Sequence, residues 1–383
     1  MVAHLTEGDH ASASAVFAPA RCPLLVVKVG SSLLVEPGGD VKRAWLKTLV
    51  ADIAVRHSAG QRIIIVTSGA IALGARRLGF EKGGRAALAD AQAAASVGQI
   101  ILSGLWAELL AARGMTAAQL LVTLDDLEDR RRYLNIAATL DRLLGAGAVP
   151  VINENDSVAT EEIRFGDNDR LAARAAQAAG ASGVILLSDV DGLYDRDPSH
   201  PDAQIVRRVD AVDDAVMAMA AAGSSSGMGS GGMASKLEAA KIAGIAGIDL
   251  AIISGLRDHP LAAFDTGGPG THFHARDSQS ARKSWIGGRL TAKGRIIIDD
   301  GACAALIAGA SLLPAGATSV EGNFVRGDVV EIFAAGKLIA RGLAEYDAAD
   351  AMQICGHKTS ELSSILGTVP RNVMVHRDQM VLL

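Results

Sequence analysis

The sequence predicts an α/β protein: a parallel sheet flanked by helices, followed by a smaller β-rich domain. Three observations predict it. Short, near-continuous apolar runs rich in β-branched residues alternate with helical stretches, the pattern of parallel strands buried on both faces. Most of these runs end in small polar residues. Near residue 285 the texture changes to short strand-like segments separated by turns.

The first strand is "PLLVVKVG" (23–30), followed by a helical stretch over roughly 40–59. "RIIIVTSGA" (62–70) repeats the theme of apolar run, Ser-Gly turn and helical pattern, and "AAQLLVT", "GAVPVIN", "GVILLSD" and "IDLAIISG" follow. The Gly/Pro-rich "TGGPGT" (266–271) then breaks the alternation, and the polar, basic "HFHARDSQSARKS" reads as a linker. Beyond it, "GRIIIDDGACAALIAGASLLPAG" gives a strand and a short helix. "TSVEGNF", "GDVVEIFA", "KLIARGLAEY" and "NVMVHRD" read as strands of the second domain. The expected divisions are a loose, flexible extension over 1–22, a first domain over 23–272, a linker over 273–284, and a second domain with tail over 285–383.

Composition bounds the function. The 383 residues suffice for two or three full cores, and 49% hydrophobic with 21% charged residues is ordinary for a globular chain. Lys plus Arg is 37 and Asp plus Glu 42, a net charge of −5, and aromatics are 3%. Both disfavour a large nucleic-acid surface. Cys22, Cys303 and Cys355 form no CxxC pair, so they read as buried free thiols in a reducing compartment. The N-terminal stretch lacks a signal-peptide pattern, and the most apolar runs, such as "RIIIVTSGAIALGA", are too short or too polar to span a bilayer. The expected location is cytoplasmic, with no membrane.

In open parallel sheets ligands sit beyond the carboxyl ends of the strands. "VVKVGSS" (26–32) places Lys28 inside an apolar strand, where a lysine is unusual, and follows it with Gly30 and Ser31. Glycine lets backbone amides approach phosphate oxygens, and the ammonium neutralises their charge. "SSSGMGSGGMASK" (224–236) satisfies G-x-G-x-x-G, but a helical segment precedes it, which defeats the Rossmann reading, and it lacks the Walker A ending. A glycine loop feeding a helix that carries Lys236 is an anion-site candidate; a flexible linker is the alternative. "SDVDGLYDRDP" (188–198) follows a strand and offers Ser188 and Asp189 to a nucleotide, though its turn residues need no function.

"VINENDSVA" (151–159) and "FGDNDR" (165–170) are polar clusters. Helix capping accounts for one residue of Asp167, Asn168 and Asp169 and leaves two unexplained. The two clusters read as a jaw for a ligand carrying an ammonium group. Lysines, glycine loops and an acidic jaw together fit phosphoryl transfer, which needs mainly positioning and charge neutralisation. "HFH" (272–274) could hold a metal but has no third ligand close in sequence, so a linker histidine pair is favoured and no metal site is assigned. "HRD" (376–378) lacks the other protein-kinase motifs and reads as coincidence.

From about Leu24 onward the chain resembles the amino acid kinase family. "VVKVGSS", "IVTSGAIALG", "VPVINENDSVA", "FGDNDRLAA", "LLSDVDGLY" and "GMGSGGMASK" follow that family's blocks in order, and "GNFVRGDVVEI" resembles a C-terminal PUA domain. The resemblance implies a three-layer αβα sandwich with a mainly parallel sheet, plus a PUA domain. It implies transfer of the γ-phosphoryl group of ATP to the γ-carboxylate of L-glutamate with Mg2+, the first step of proline biosynthesis. Lys28 and Lys236 would neutralise the transferring group and Asp169 would orient them. Ser68, Asp156, Asp167 and Asn168 would bind glutamate. Lys28, Gly30, Ser31, Ser188, Asp189 and the loop Ser230, Gly231, Gly232, Met233, Ala234, Ser235 and Lys236 would bind ATP. Ser188 and the Gly-Ser-Ser loop depart slightly from the family's frequent Thr-Asp and Gly-Thr-Ser.

The resemblance also implies feedback inhibition by proline, a homo-oligomer (dimer or tetramer) and handover of product to glutamate-5-semialdehyde dehydrogenase. N-acetylglutamate or aspartate as acceptor is the nearest alternative. RNA binding through the PUA domain is a further alternative, unsupported by the charge and aromatic content.

Overall fold

The computed structural model describes residues 2–3, 14–36, 40–158, 168–222, 232–275, 292–367 and 371–382. The chain forms two compact units, one of residues 1–127 with 136–276, the other of 128–135 with 277–383.

The first unit is built on a nine-stranded sheet. Its strands are β1 (Val2–Ala3), β2 (Leu24–Val29), β3 (Arg62–Val66), β4 (Thr116–Val122), β5 (Ala148–Glu154), β6 (Gly183–Ser188), β7 (Arg208–Val209), β8 (Asp249–Ser254) and β9 (Gly270–Phe273). They lie in the order β1-β7-β9-β8-β6-β2-β3-β5-β4. All pairings are parallel except β1–β7 and β8–β9. Strands β2 and β6 are buried at every residue, as their continuous apolar runs require.

Side chains alternate across the sheet, which fixes the layers. Leu25, Val27, Val29, Ile63, Ile65, Val149 and Val151 face a core with Leu46, Leu49 and Ile53 of helix Arg43–Ser58 and Leu102, Trp106 and Leu109 of helix Leu88–Ala111. The other face, which Lys28 shares with Leu24 and Val26, is covered by helices Asn168–Ala179 and Met233–Ile245. The result is a three-layer αβα sandwich.

Helices Ala70–Leu78 and Leu88–Ala111 touch backbone to backbone. A Cβ on Gly74 would fall 1.7 Å from the Ala94 carbonyl oxygen, and one on Gly98 1.7 Å from that of Ala70. Helix Leu88–Ala111, at 24 residues and mean hydropathy 1.4 over its most apolar window, meets the length and composition of a membrane span. The expectation that no stretch is long and apolar enough is thereby corrected. Leu102, Leu105, Trp106 and Leu109 account for part of its apolarity, since all are buried in the core, whereas Ile100 and Ile101 are exposed.

Two further expectations change. Within the segment expected to be a loose extension, residues 14–22 pack into the first unit. Phe17 is fully buried, its carbonyl accepts from Arg56 (2.8 Å) and Gln61 (2.9 Å), and the Cys22 carbonyl accepts from Gln61 (2.6 Å). Gly183 at the start of β6 makes room, since a Cβ there would sit 2.9 Å from the Phe17 ring. The "HFH" stretch begins in strand β9 rather than in a linker, with His272 buried inside the sheet.

The second unit contains a five-stranded sheet of β10 (Gly294–Ile298), β11 (Ala317–Gly322), β12 (Val329–Ala334), β13 (Lys337–Leu343) and β14 (Met380–Leu382) in the order β11-β10-β12-β13-β14. Its core gathers Ile296, Ile298, Phe324, Val330, Ile332, Leu362 and Met374. Asp299 caps helix Asp300–Ile307 by accepting from the Ala302 amide at 2.7 Å. "NVMVHRD" is not the last strand: it makes one bridge, Val375 to Leu312, and turns at Arg377–Gln379 before β14. Cys22 is buried, whereas Cys303 and Cys355 are only half-buried.

Candidate active site

The site lies at the carboxyl ends of β2, β3, β5 and β6. Lys28, one residue from the end of β2, is 6% exposed and points to the face covered by helix Asn168–Ala179. The first turn of that helix supplies Asp169, 1% exposed, whose Oδ1 lies 2.6 Å from Lys28 Nζ. Lys236, 5% exposed in the first turn of helix Met233–Ile245, reaches Oδ2 of the same carboxylate at 3.3 Å. Burial works to raise the Asp169 pKa, but the charges of Lys28 and Lys236 outweigh it and hold the carboxyl below its usual value. The result is a buried carboxylate flanked by two ammonium groups.

Asn168, the preceding residue, turns the other way. Its Nδ2 donates to the Thr67 carbonyl (2.6 Å), Ser68 Oγ (2.8 Å) and Asn153 Oδ1 (3.1 Å). Asn153 in turn donates to Gln99 Oε1 at 2.7 Å, and Trp106 Nε1 donates to Thr67 Oγ1 at 3.1 Å. The tight turn after β3 passes through Gly69, whose φ of +100° is left-handed and suits glycine. Among the described residues, the buried Asn168 Oδ1 has no hydrogen-bond partner, so an acceptor is left for a ligand donor. A cavity of about 300 Å³ adjoins this network, lined by Gln99, Glu154, Asn155 and Asp156 among others. Burial pushes the Asp156 carboxyl up to about 6, partly offset by the charge of Arg85.

At the end of β6, next to β2, Ser188 is buried and donates to Asp189 Oδ1 at 3.2 Å, while Asp189 is exposed. Gly30 and Ser31 stand where β2 passes into the short helix Ser31–Leu34. Gly232 is the N-cap of helix Met233–Ile245 and makes no side-chain cap. Met233, Ala234 and Ser235 form the helix's first turn with Lys236.

The structure thus joins Lys28, Asp169 and Lys236 in one cluster, and Ser68 with Asn168 in another. It gives Ser188 and Asp189 contact with each other at the end of the neighbouring strand β6. Asp167, Ser230 and Gly231 lie outside the described residues. Neither Asn168 nor Asp169 accepts a capping hydrogen bond from its helix; the Asn168 NH2 group and the Asp169 carboxylate are each directed into a cluster. Gln99, Thr67 and Trp106 were not singled out from the sequence. Gln99 and Trp106 sit in an apolar helix, and only strand pairing brings Asn153 to them.

Residues 23–254 match the amino acid kinase family. The chain belongs to the amino acid kinase family. Residues 294–366 match the PUA domain. Among curated proteins, the chain is 62% identical over 369 residues to the glutamate 5-kinase of Sphingopyxis alaskensis, covering 96% of this chain and 100% of that protein. It is 60% identical over 371 residues to the glutamate 5-kinase of Zymomonas mobilis subsp. mobilis, covering 96% of this chain and 94% of that one. A glutamate 5-kinase of Rhodopseudomonas palustris is 52% identical over 362 residues, covering 94% of this chain and 96% of that one. Among solved structures, carbamate kinase from Giardia lamblia bound to AMP-PNP is similar at 13% identity and TM-score 0.49, over 66% of this chain and 99% of that one. This amino acid kinase chain therefore spans nearly the full length of the curated relatives it matches.

Proposed function

We propose that the chain transfers the γ-phosphoryl group of ATP to the γ-carboxylate of L-glutamate, giving L-glutamate 5-phosphate as the first step of proline biosynthesis in the cytoplasm. The observation that carries the proposal is the adjacency of Asn168 and Asp169, which sets a polar substrate network directly beside a buried lysine pair. The glutamate 5-kinase relatives, matched at 50–62% identity, support the choice of acceptor over aspartate or N-acetylglutamate.

A carboxylate is already a competent nucleophile at neutral pH, so the reaction needs no general base. The obstacle is the approach of two anions. Lys28 and Lys236 would lower it by facing the charge that develops on the transferring group. Asp169 positions both ammonium groups. Backbone amides of Gly30 and Ser31, and those of the helix turn beginning at Gly232, would meet phosphate oxygens. Ser188 and Asp189 would hold the nucleoside, while Ser68, Asn168 and Asp156 would bind glutamate. The unpartnered Asn168 Oδ1 and the Asp156 carboxylate suit its ammonium group. Both oxygens of Asp169 are engaged by lysines, so the magnesium ion that the family implies would arrive on the ATP phosphates, as that ion commonly does. Its chemistry there is to neutralise phosphate charge.

Proline as an inhibitor in the glutamate pocket and a homo-oligomer complete the proposal. The acyl-phosphate product is short-lived in water, which favours direct use by glutamate-5-semialdehyde dehydrogenase. The test is hydroxamate formation from L-glutamate, ATP and Mg2+ in the presence of hydroxylamine, with aspartate and N-acetylglutamate in parallel and with proline added. The expected result is product with glutamate alone, suppressed by proline. Equal or greater product with another acceptor would overturn the assignment.

A further inference from the structure

We infer that Asp249, His272 and His274 form a binding site for one zinc-class divalent ion, separate from the phosphoryl-transfer site. Asp249 opens β8, His272 lies in β9, and His274 follows it. The candidate ligand atoms of the three side chains all lie within 4.8 Å of one another. His272 Nε2 stands 2.7 Å and His274 Nδ1 3.2 Å from the same oxygen, Asp249 Oδ1. The Ala275 amide reaches that oxygen as well, at 3.1 Å. Three donors thus converge on one carboxylate oxygen, which has lone pairs for two.

A simple hydrogen-bonded strand end would need one histidine. The second imidazole, delivered to the same point, is what a metal site requires. Two imidazoles and a carboxylate are a donor set suited to zinc, with an open position for water. Zinc takes these ligands at about 2.0–2.2 Å, which separates ligand atoms by roughly 3.3 Å. The 3.2 Å contact already matches, and the 2.7 Å contact must open by about half an ångström to admit the ion. His274, half-exposed, gives the ion a way in from solvent. Each ring must present its nitrogen unprotonated, by tautomer shift or by loss of a proton.

The position separates this site from the reaction. Asp249 starts β8, whereas the reacting groups lie at the far ends of the parallel strands, about 17 Å away along the five residue steps from Asp249 to Ser254. The ion would instead fasten β8 to β9 where the N-terminal segment docks. The Phe17 ring packs edge-on against His272, with centroids 5.5 Å apart. The expected effect is therefore on stability.

The test uses tag-free full-length protein, stripped with a chelator and dialysed against zinc, with bound metal measured by elemental analysis and melting followed in parallel. One zinc per chain and a higher melting temperature are expected. His274→Ala, at a half-exposed position, should weaken zinc binding at least about tenfold and leave hydroxamate-forming activity unchanged. Asp249→Asn keeps an acceptor for the donors and should weaken zinc binding likewise. Less than half an equivalent bound at about 100 µM free zinc, a level that fills any site of lower Kd, would overturn the proposal. So would unchanged binding in His274→Ala, or displacement by millimolar Mg2+, an ion that prefers oxygen ligands.

Discussion

Asp169→Asn is the perturbation that most directly probes the lysine pair. The asparagine is nearly isosteric, so packing is kept and only the charge is lost. Lys28 and Lys236 have side chains only 8% and 7% exposed, and their shared partner is 1% exposed. Removing one partner from a buried ion pair costs about 3–5 kcal/mol, because the remaining charge is left uncompensated. Here two like charges would be left facing each other. For a unit of this size the loss corresponds to a fall in melting temperature of roughly 6–20 °C, at about 2–4 °C per kcal/mol. Turnover should drop by about 10²-fold, the lower end of the effect of losing one transition-state donor. Calorimetry and the hydroxamate assay measure the two effects. ATP should raise the melting temperature of the variant more than that of the parent, since phosphates restore the missing negative charge. Adding Lys236→Met to Asp169→Asn should recover much of the stability but none of the activity. The pH dependence has a definite sign. The Asp169 carboxyl is held below its usual value, so its contribution is present above the ordinary carboxyl value of about 3.9 and is lost as pH falls further. A variant that melts within about 2 °C of the parent, against the shift expected from the buried charges, and turns over at a similar rate would refute this account.

Asn168→Ala removes the donor to Thr67, Ser68 and Asn153 and should raise KM for glutamate much more than KM for ATP; initial-rate kinetics with each substrate varied decide, and equal effects would reduce Asn168 to a structural role. Asp156, with its carboxyl pushed up to about 6, should bind the glutamate ammonium only when ionised, so KM for glutamate should rise about tenfold between pH 7 and pH 5, and Asp156→Asn should abolish that rise. Because burial raises this pKa, the group's effect on stability runs the opposite way: it favours the ligand-free fold at low pH, and that contribution is lost as pH rises through about 6. Gly98→Ala would place a methyl 1.7 Å from the Ala70 carbonyl oxygen and should cost about 3 kcal/mol or more, read as a lower denaturant midpoint, with impaired glutamate binding because Gln99 moves with the helix.

Much of the sheet was legible because burial on both faces leaves a simple mark, an apolar β-branched run ending in a polar turn. Lys28 was legible for the same reason, as one charge inside such a run. The short strands β1, β7 and β9 were not, because pairs of two to four residues carry no pattern of their own. The "HFH" stretch reads as linker in the sequence because the partner of His272, Asp249, lies 23 positions away and meets it only through antiparallel pairing of β8 with β9. Phe17 was hidden in the same way. Nothing in a polar N-terminal stretch announces that Gly183 leaves space for its ring. Gln99, Thr67 and Trp106 escaped because each looks like an ordinary residue of its element until Asn153 and Asn168 arrive.

The alternation of strand residues explains why "FGDNDR" can serve two chemistries at once. Thr67 continues the face of Ile63 and Ile65, and Asn153 that of Val149 and Val151, so the polar network belongs to the side covered by helix Leu88–Ala111. Lys28 shares its face with Leu24 and Val26, on the side covered by helices Asn168–Ala179 and Met233–Ile245. The two half-sites therefore lie on opposite faces of one sheet and can meet only past its carboxyl edge. A helix that begins at that edge presents successive side chains about 100° apart. Asn168 can then reach over the edge to Ser68 while Asp169 stays on its own face with the lysines. Inserting a residue between the two positions would rotate one partner out of reach. A single alanine inserted after Asn168 should therefore abolish turnover even where the fold survives, whereas an insertion after Gly180, in the turn beyond the same helix, should not.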